Sequence, residues 1–210
     1  GHNPIAGGVK ASVDIAHAEI VDAITTGDNG IIDLDLANTG AVVTIEAHTL
    51  GEDADIILDN TGSPLRMAYV ATQNGDVVVT SNRGVDMVHV WALDAGVINP
   101  DDPSDLRPSS SGSGISSLPD NNGITGAIDD AHIVDVTVTG AGDVTLRDVW
   151  ADYYVVVDLQ GPGDIGVGAG GANTCGDIML IAAQGSIIDI ENTDAIDLRA
   201  CGNITLWVGE

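Results

Sequence analysis

Along residues 27–96 apolar side chains fall on every second position: Leu34 and Leu36, Val43 and Ile45, Ile56 and Leu58, Leu65 and Met67. A period of two is the spacing of a pleated strand with one face buried. The pattern also recurs. Asn38-Thr39-Gly40 returns as Asn60-Thr61-Gly62 and as Asn82-Arg83-Gly84, a repeat of 22 residues. In that register Leu34 stacks on Ile56 and Val78, and Leu36 on Leu58 and Thr80. The second strand of each unit stacks Val43 on Leu65 and Met87, Ile45 on Met67 and His89, and Ala47 on Tyr69 and Trp91. Each unit thus holds two strands joined by an Asn-x-Gly turn, and no unit can bury its own apolar face. Stacking rung on rung pairs the backbone between units and buries a continuous stripe. The pattern predicts an all-β parallel β-helix, a β-solenoid with rungs of about 22 residues.

Asn38, Asn60 and Asn82 share the parity of the inward Leu and Ile residues, which predicts an Asn ladder through the stack. The strand pattern stops after Gly96. Residues 99–125 contain Asn99-Pro100-Asp101-Asp102-Pro103, a Ser/Gly run from Ser109 to Gly114, and Pro119-Asp120-Asn121-Asn122-Gly123. Such a density of Pro, Gly, Ser and Asp predicts a flexible loop extruded from a single solenoid domain spanning 3–210. Strand patterns then resume on one template: Gly, a short polar residue, then alternating aliphatic residues. It appears at Gly142-Asp143-Val144, Gly163-Asp164-Ile165, Gly176-Asp177-Ile178, Gly185-Ser186-Ile187 and Gly202-Asn203-Ile204. Some of these are expected to mark successive faces of one rung. The clearest full-turn match aligns Cys175-Gly-Asp-Ile-Met-Leu with Cys201-Gly-Asn-Ile-Thr-Leu. At a rung spacing of about 4.8 Å the two cysteines fall within disulfide range. Free thiols packed as small hydrophobes are the alternative.

The Gly-Asp-Ile-x-Leu runs, Gln184-Gly185-Ser186-Ile187-Ile188-Asp189 and Gly202-Asn203-Ile204-Thr205-Leu206 resemble the repeats of filamentous-haemagglutinin-type exported proteins. The resemblance covers most of 27–96 and 131–208. It implies a right-handed parallel β-helix belonging to a very large bacterial surface adhesin, hence an extracellular or cell-surface location. The ends fit a piece of such a chain: Gly1-His2 reads as a cleavage scar, and the strand pattern at 202–208 runs almost to the terminus.

Charge narrows the function further. The 210 residues carry 32 Asp plus Glu against 6 Lys plus Arg, a net charge of −26. Six scattered cations cannot form the basic stripe that phosphate binding needs, which excludes nucleic acid. Anionic membrane surfaces are disfavoured on the same ground, and no apolar run approaches a membrane span. The acids are overwhelmingly Asp, which suits turns, caps and hard-cation sites. Asp33 and Asp55 stack in the 22-residue register, next to the acidic turn Glu52-Asp53-Ala54-Asp55. Asp33, Asp53 and Asp55 are therefore candidate ligands for Ca2+, which would relieve their repulsion. A saline environment, or simple solubility, would account for the same excess.

Catalytic motifs are lacking. His17, His48, His89 and His132 make no metal-ligand spacing, and no Gly-x-Ser-x-Gly elbow occurs. His89, in register with Ile45 and Met67, reads as a core or edge histidine. Tyr69 over Trp91 reads as a core stack, and Trp150, Tyr153 and Tyr154 form the one aromatic cluster that suits a sugar. The expectation is a non-catalytic structural or adhesive segment that binds a carbohydrate or protein surface and abuts further repeats of its parent chain. A polysaccharide lyase or glycoside hydrolase on a β-helix, and a calcium-dependent β-sandwich adhesin module, are the alternatives. The solenoid predicts parallel pairing one repeat apart, and the sandwich predicts antiparallel hairpins.

Overall fold

The computed structural model describes residues 10–15, 19–25, 30–37, 42–49, 54–73, 75–93, 132–191 and 195–209. The described residues form strands and connections without helix, and every strand pair is parallel. The chain is a β-solenoid. Its early rungs have two strands each: β1 (Lys10–Ile15) with β2 (Ile20–Thr25), β3 (Ile31–Leu36) with β4 (Val43–Thr49), and β5 (Ile56–Asn60) with β6 (Leu65–Gln73). Later rungs have three: β7 (Val77–Ser81), β8 (Val85–Met87) and β9 (Val90–Leu93), then β10 (Ile133–Val138), β11 (Val144–Leu146) and β12 (Val149–Ala151). They continue as β13 (Tyr154–Pro162), β14 (Ile165–Val167) and β15 (Ala172–Thr174), and as β16 (Asp177–Gln184), β17 (Ile187–Asp189) and β18 (Leu198–Ala200); β19 (Ile204–Val208) follows.

One wall runs β1-β3-β5-β7-β10-β13-β16-β19. The opposite wall starts as β2-β4-β6 and divides at β6, whose first half pairs with β8 and second half with β9. From there β8-β11-β14-β17 and β9-β12-β15-β18 run on as separate walls. The two-strand repeat unit expected from the sequence is therefore a three-strand unit in the later rungs. A bulge prepares the division: Ile45 opposes Met67 but Glu46 opposes Tyr69, leaving Ala68 without a partner. Bulges kink a strand, and in the next rung the same place is a corner at Val88 and His89.

This bulge and uneven corner lengths change the register read from the sequence. Val43 on Leu65 and Ile45 on Met67 hold, but Leu65 stacks on Val85 and Met67 on Met87. Along the first wall Leu34 pairs with Leu58, not Ile56, and Leu58 with Val79, not Thr80. A strict 22-residue repeat overlooked that corners lengthen in one rung and shorten in the next; rungs average roughly 23 residues. Alternation within each strand is preserved, so the inward set is still the apolar set. The match of the Cys175 and Cys201 segments holds as read, with Ile178 on Ile204 and Leu180 on Leu206.

The core is a stack of short columns. Leu34, Leu58, Val79, Val136, Val157 and Leu180 form one, each at most 4% exposed. Each such aliphatic side chain contributes about 1.5–3 kcal/mol by burial. β7 pairs directly with β10, and β9 with β12, so the stack is continuous across the long segment between Leu93 and His132. The loop expected at 99–125 lies outside the described residues.

Candidate functional site

The Gly-plus-short-polar template serves the corners. Gly142, Gly163 and Gly185 precede β11, β14 and β17 on one wall, whereas Gly176 and Gly202 precede β16 and β19 on another. Backbones stack so closely there that a Cβ at Gly163 would collide with the carbonyl oxygen of Gly142, and one at Gly185 with that of Gly163. The polar residue after the glycine has its own task. The Asp164 N–H donates to Asp143 Oδ1 at 2.9 Å, the Ser186 N–H to Asp164 Oδ1 at 2.8 Å, and the Asn203 N–H to Asp177 Oδ1 at 2.6 Å. The same link joins the Asp76 N–H to Asp55 Oδ1 (2.9 Å) and the Ile133 N–H to Asp76 Oδ1 (3.0 Å). Five aspartates thus serve the corners, where each carboxylate accepts a backbone N–H of the next rung. Asp76 is the buried member of this set, and desolvation pushes its pKa up to about 7. The donated Ile133 N–H opposes that rise, while the carboxylates of Asp55 and Asp135 add to it.

The expected Ca2+ ligands are not stacked. Asp33 opposes Ile57 rather than Asp55, because the step between these two rungs is longer than 22 residues. Asp55 instead holds the Asp76 backbone, and Asp53 lies outside the described residues. Among the described residues no three His, Cys, Asp or Glu side chains converge as a metal site. The Asn ladder is likewise rearranged. Asn60 is buried and donates through Nδ2 to Ser81 Oγ at 2.9 Å and to the Ser63 carbonyl at 2.8 Å. Asn82 sits one place beyond Ser81, outside the core, and donates to the Thr61 carbonyl at 2.8 Å. Asn38 lies outside the described residues.

The most differentiated surface is an aromatic corner. Outward positions of successive rungs align His48, Ala71, Trp91, Trp150, Asn173 and Arg199 in one column. Beside it lie Tyr69 and His89, with ring centroids 5.4 Å from Tyr69 to Trp91 and 6.0 Å from His89 to Trp91. His48 stacks on Tyr69 at 4.5 Å. Asp148 orders the exposed side of this group: its Oδ1 accepts from Trp150 Nε1 at 2.7 Å, and its Oδ2 lies 2.9 Å from His89 Nδ1. His89 is therefore a satisfied corner histidine, in line with Tyr69 rather than with Ile45 and Met67. Trp91 and Tyr69 are buried at 4% and 8% exposure, yet Trp91 Nε1 and the Tyr69 hydroxyl have no hydrogen-bond partner among the described residues. Burial drives the Tyr69 hydroxyl pKa up to about 12, so it keeps its proton. His48, with Nδ1 also unpartnered, is pushed below its ordinary value by burial, against the pull of Asp22 and Glu46.

This regroups the aromatic residues. Trp150 belongs with Tyr69 and Trp91, because β12 continues the wall of β6 and β9. Tyr153 and Tyr154 pair with each other at 5.5 Å, at the start of the next rung. Tyr69 and Trp91 do pack on each other as expected, but on an outward face. Period-two parity counted from Leu65 and Met67 put Tyr69 inward; the bulge at Ala68 reverses it, so that Val70 and Val90 point inward and Tyr69 and Trp91 outward. A few residues away, Asp86 lies between Arg147 Nε (3.2 Å) and Arg66 Nε (3.9 Å), beside a shallow groove reaching from Val42 to Thr145.

Cys175 and Cys201 occupy equivalent corners of adjacent rungs as unbridged, exposed thiols. No protein-family model matches the chain, and no curated protein or solved structure is significantly similar to it.

Proposed function

We propose that this chain is a rigid, non-catalytic segment of a large exported surface protein of the filamentous-haemagglutinin type, and that its aromatic corner binds carbohydrate. The carrying observation is the partly exposed Trp150, packed on the buried Tyr69–Trp91 cluster, with Asp148 fixing its indole through Nε1. Sugar rings present apolar C–H faces to aromatic planes and hydroxyls to polar groups at the rim. A ring held in one orientation loses little entropy when a ligand covers it. The repeat chemistry and the parallel stack support the exported, adhesive context and a surface location outside the cell.

The test is binding to a panel of neutral and acidic oligosaccharides, followed by titration of Trp150→Ala and Asp148→Asn. Trp150→Ala should weaken the best ligand at least about tenfold, with an unchanged far-ultraviolet spectrum. Asp148→Asn should cause a smaller loss, because the indole stays but is less firmly held. No binding across the panel, or equal binding by Trp150→Ala, would overturn the carbohydrate reading.

A further inference from the structure

The corner between β15 and β16 lies directly beneath the corner between β18 and β19. Cys175 is in the first and Cys201 in the second. Both are bracketed by paired backbone: Thr174 opposes Ala200 on one side, and the Gly202 N–H donates to the Gly176 carbonyl at 2.9 Å on the other. The Cys201 N–H itself donates to the Thr174 carbonyl at 3.2 Å. With partners matched on both sides, the two cysteine Cα atoms are one rung apart, about 4.8 Å. That is inside the span a disulfide accepts without backbone movement. Both thiols are open to solvent, and they hydrogen-bond to each other.

We propose that Cys175 and Cys201 form a thiol–disulfide exchange site whose oxidised state staples two adjacent rungs, the last of those described, to each other. The oxidant is a low-molecular-weight disulfide. One cysteine thiolate attacks a sulfur of that disulfide, forming a mixed disulfide and expelling the first small thiolate. The second cysteine thiolate attacks the protein sulfur of the mixed disulfide and expels the other small thiolate. Two protein thiols are oxidised, one small disulfide is reduced to two thiols, and the two cysteine protons pass to the expelled thiolates.

The location gives the bridge its effect. Among the described residues β19 pairs with β16 alone, and all five of its residues are exposed. A link between residues 175 and 201 closes a loop that the opened rung would otherwise be free to explore. The proposal is independent of the carbohydrate reading, since the aromatic corner lies on earlier rungs.

The experiment incubates the full chain at low concentration with glutathione disulfide, then maps peptides by mass spectrometry without reduction. A Cys175–Cys201 peptide pair with no retained glutathione is expected. Hydrogen exchange of residues 201–209 should slow at least about tenfold on oxidation and return to its starting rate on reduction. Cys201→Ser should retain one glutathione at Cys175 and show no such slowing. Stable glutathione adducts on both cysteines, or disulfide-linked dimers in place of the internal bridge, would overturn the site. A bridge that leaves exchange of 201–209 unchanged would overturn the staple.

Discussion

Leu180 and Leu206 are register partners on adjacent strands, in segments written to the same template. Leu180 is fully buried and Leu206 is 52% exposed. The same contrast holds for Ile178 and Ile204, and for Ala182 and Val208. What differs is that, among the described residues, one has a rung on each side and the other a rung on one side. In a solenoid, burial is a property of neighbours rather than of the repeat itself. Rungs flanked on both sides are sealed, while β19, flanked on one side among the described residues, is exposed.

The largest test of this contrast compares two leucines of the same wall. Leu58→Ala, between Leu34 and Val79, should cost about 2–5 kcal/mol of unfolding free energy. Leu206→Ala should cost about 1 kcal/mol or less, because half of that side chain already meets water. Denaturant titration of both variants reads the difference. Equal losses would mean that the last rung is covered in solution.

A smaller effect comes from the polar side of the sealed region. Asp76 has a pKa pushed from 3.8 up to about 7 by burial. An acid raised in the folded state contributes stability that is fully present below its unfolded pKa and is lost as pH rises through the folded one. Stability should therefore decline between about pH 4 and pH 7 through this residue, by on the order of a few kcal/mol at most. Asp76→Asn keeps an oxygen for the Ile133 N–H but cannot ionise, so its melting temperature should fall less over that interval. A variant profile parallel to the wild type would sink this assignment.

The smallest contrast concerns the corners. Gly163 is pinned between Gly142 below and Gly185 above, and takes a φ of 155°. Gly163→Ala should cost about 1–3 kcal/mol, from overpacking and backbone strain together. Gly202 meets the Asp177 carboxylate and the Gly176 carbonyl, and among the described residues no rung faces it from the other side. Gly202→Ala should cost under about 1 kcal/mol. Chemical denaturation of the two variants, side by side, separates pinned from free corners.

The alternation that predicted strands at Leu34, Leu58 and Leu180 is local, and local parity survives any change in corner length. Parallel stacking was legible for a related reason: equivalent apolar positions recur about one rung apart, and no single rung buries them. Register was less legible. It depends on how many residues each corner consumes, and the bulge at Ala68 and the corner at Val88 and His89 leave no compositional mark. That is why the Asp33–Asp55 pair and the Asn60–Asn82 ladder dissolved, while the Cys175–Cys201 match held. The corner carboxylates were visible as an excess of Asp, but their acceptor role was not, because the donors are backbone N–H groups of another rung.

By itself the sequence determined the strands, most of their inward faces and the parallel stacking. All of these follow from side-chain polarity and spacing, which are written residue by residue. Only the tertiary structure decided the division of one wall into two at β6, the gathering of Tyr69, His89, Trp91 and Trp150 around Asp148, and the difference between Leu180 and Leu206. Each of these depends on the exact offset between chain segments many residues apart, set by corner lengths and backbone contacts rather than by any residue's own preference.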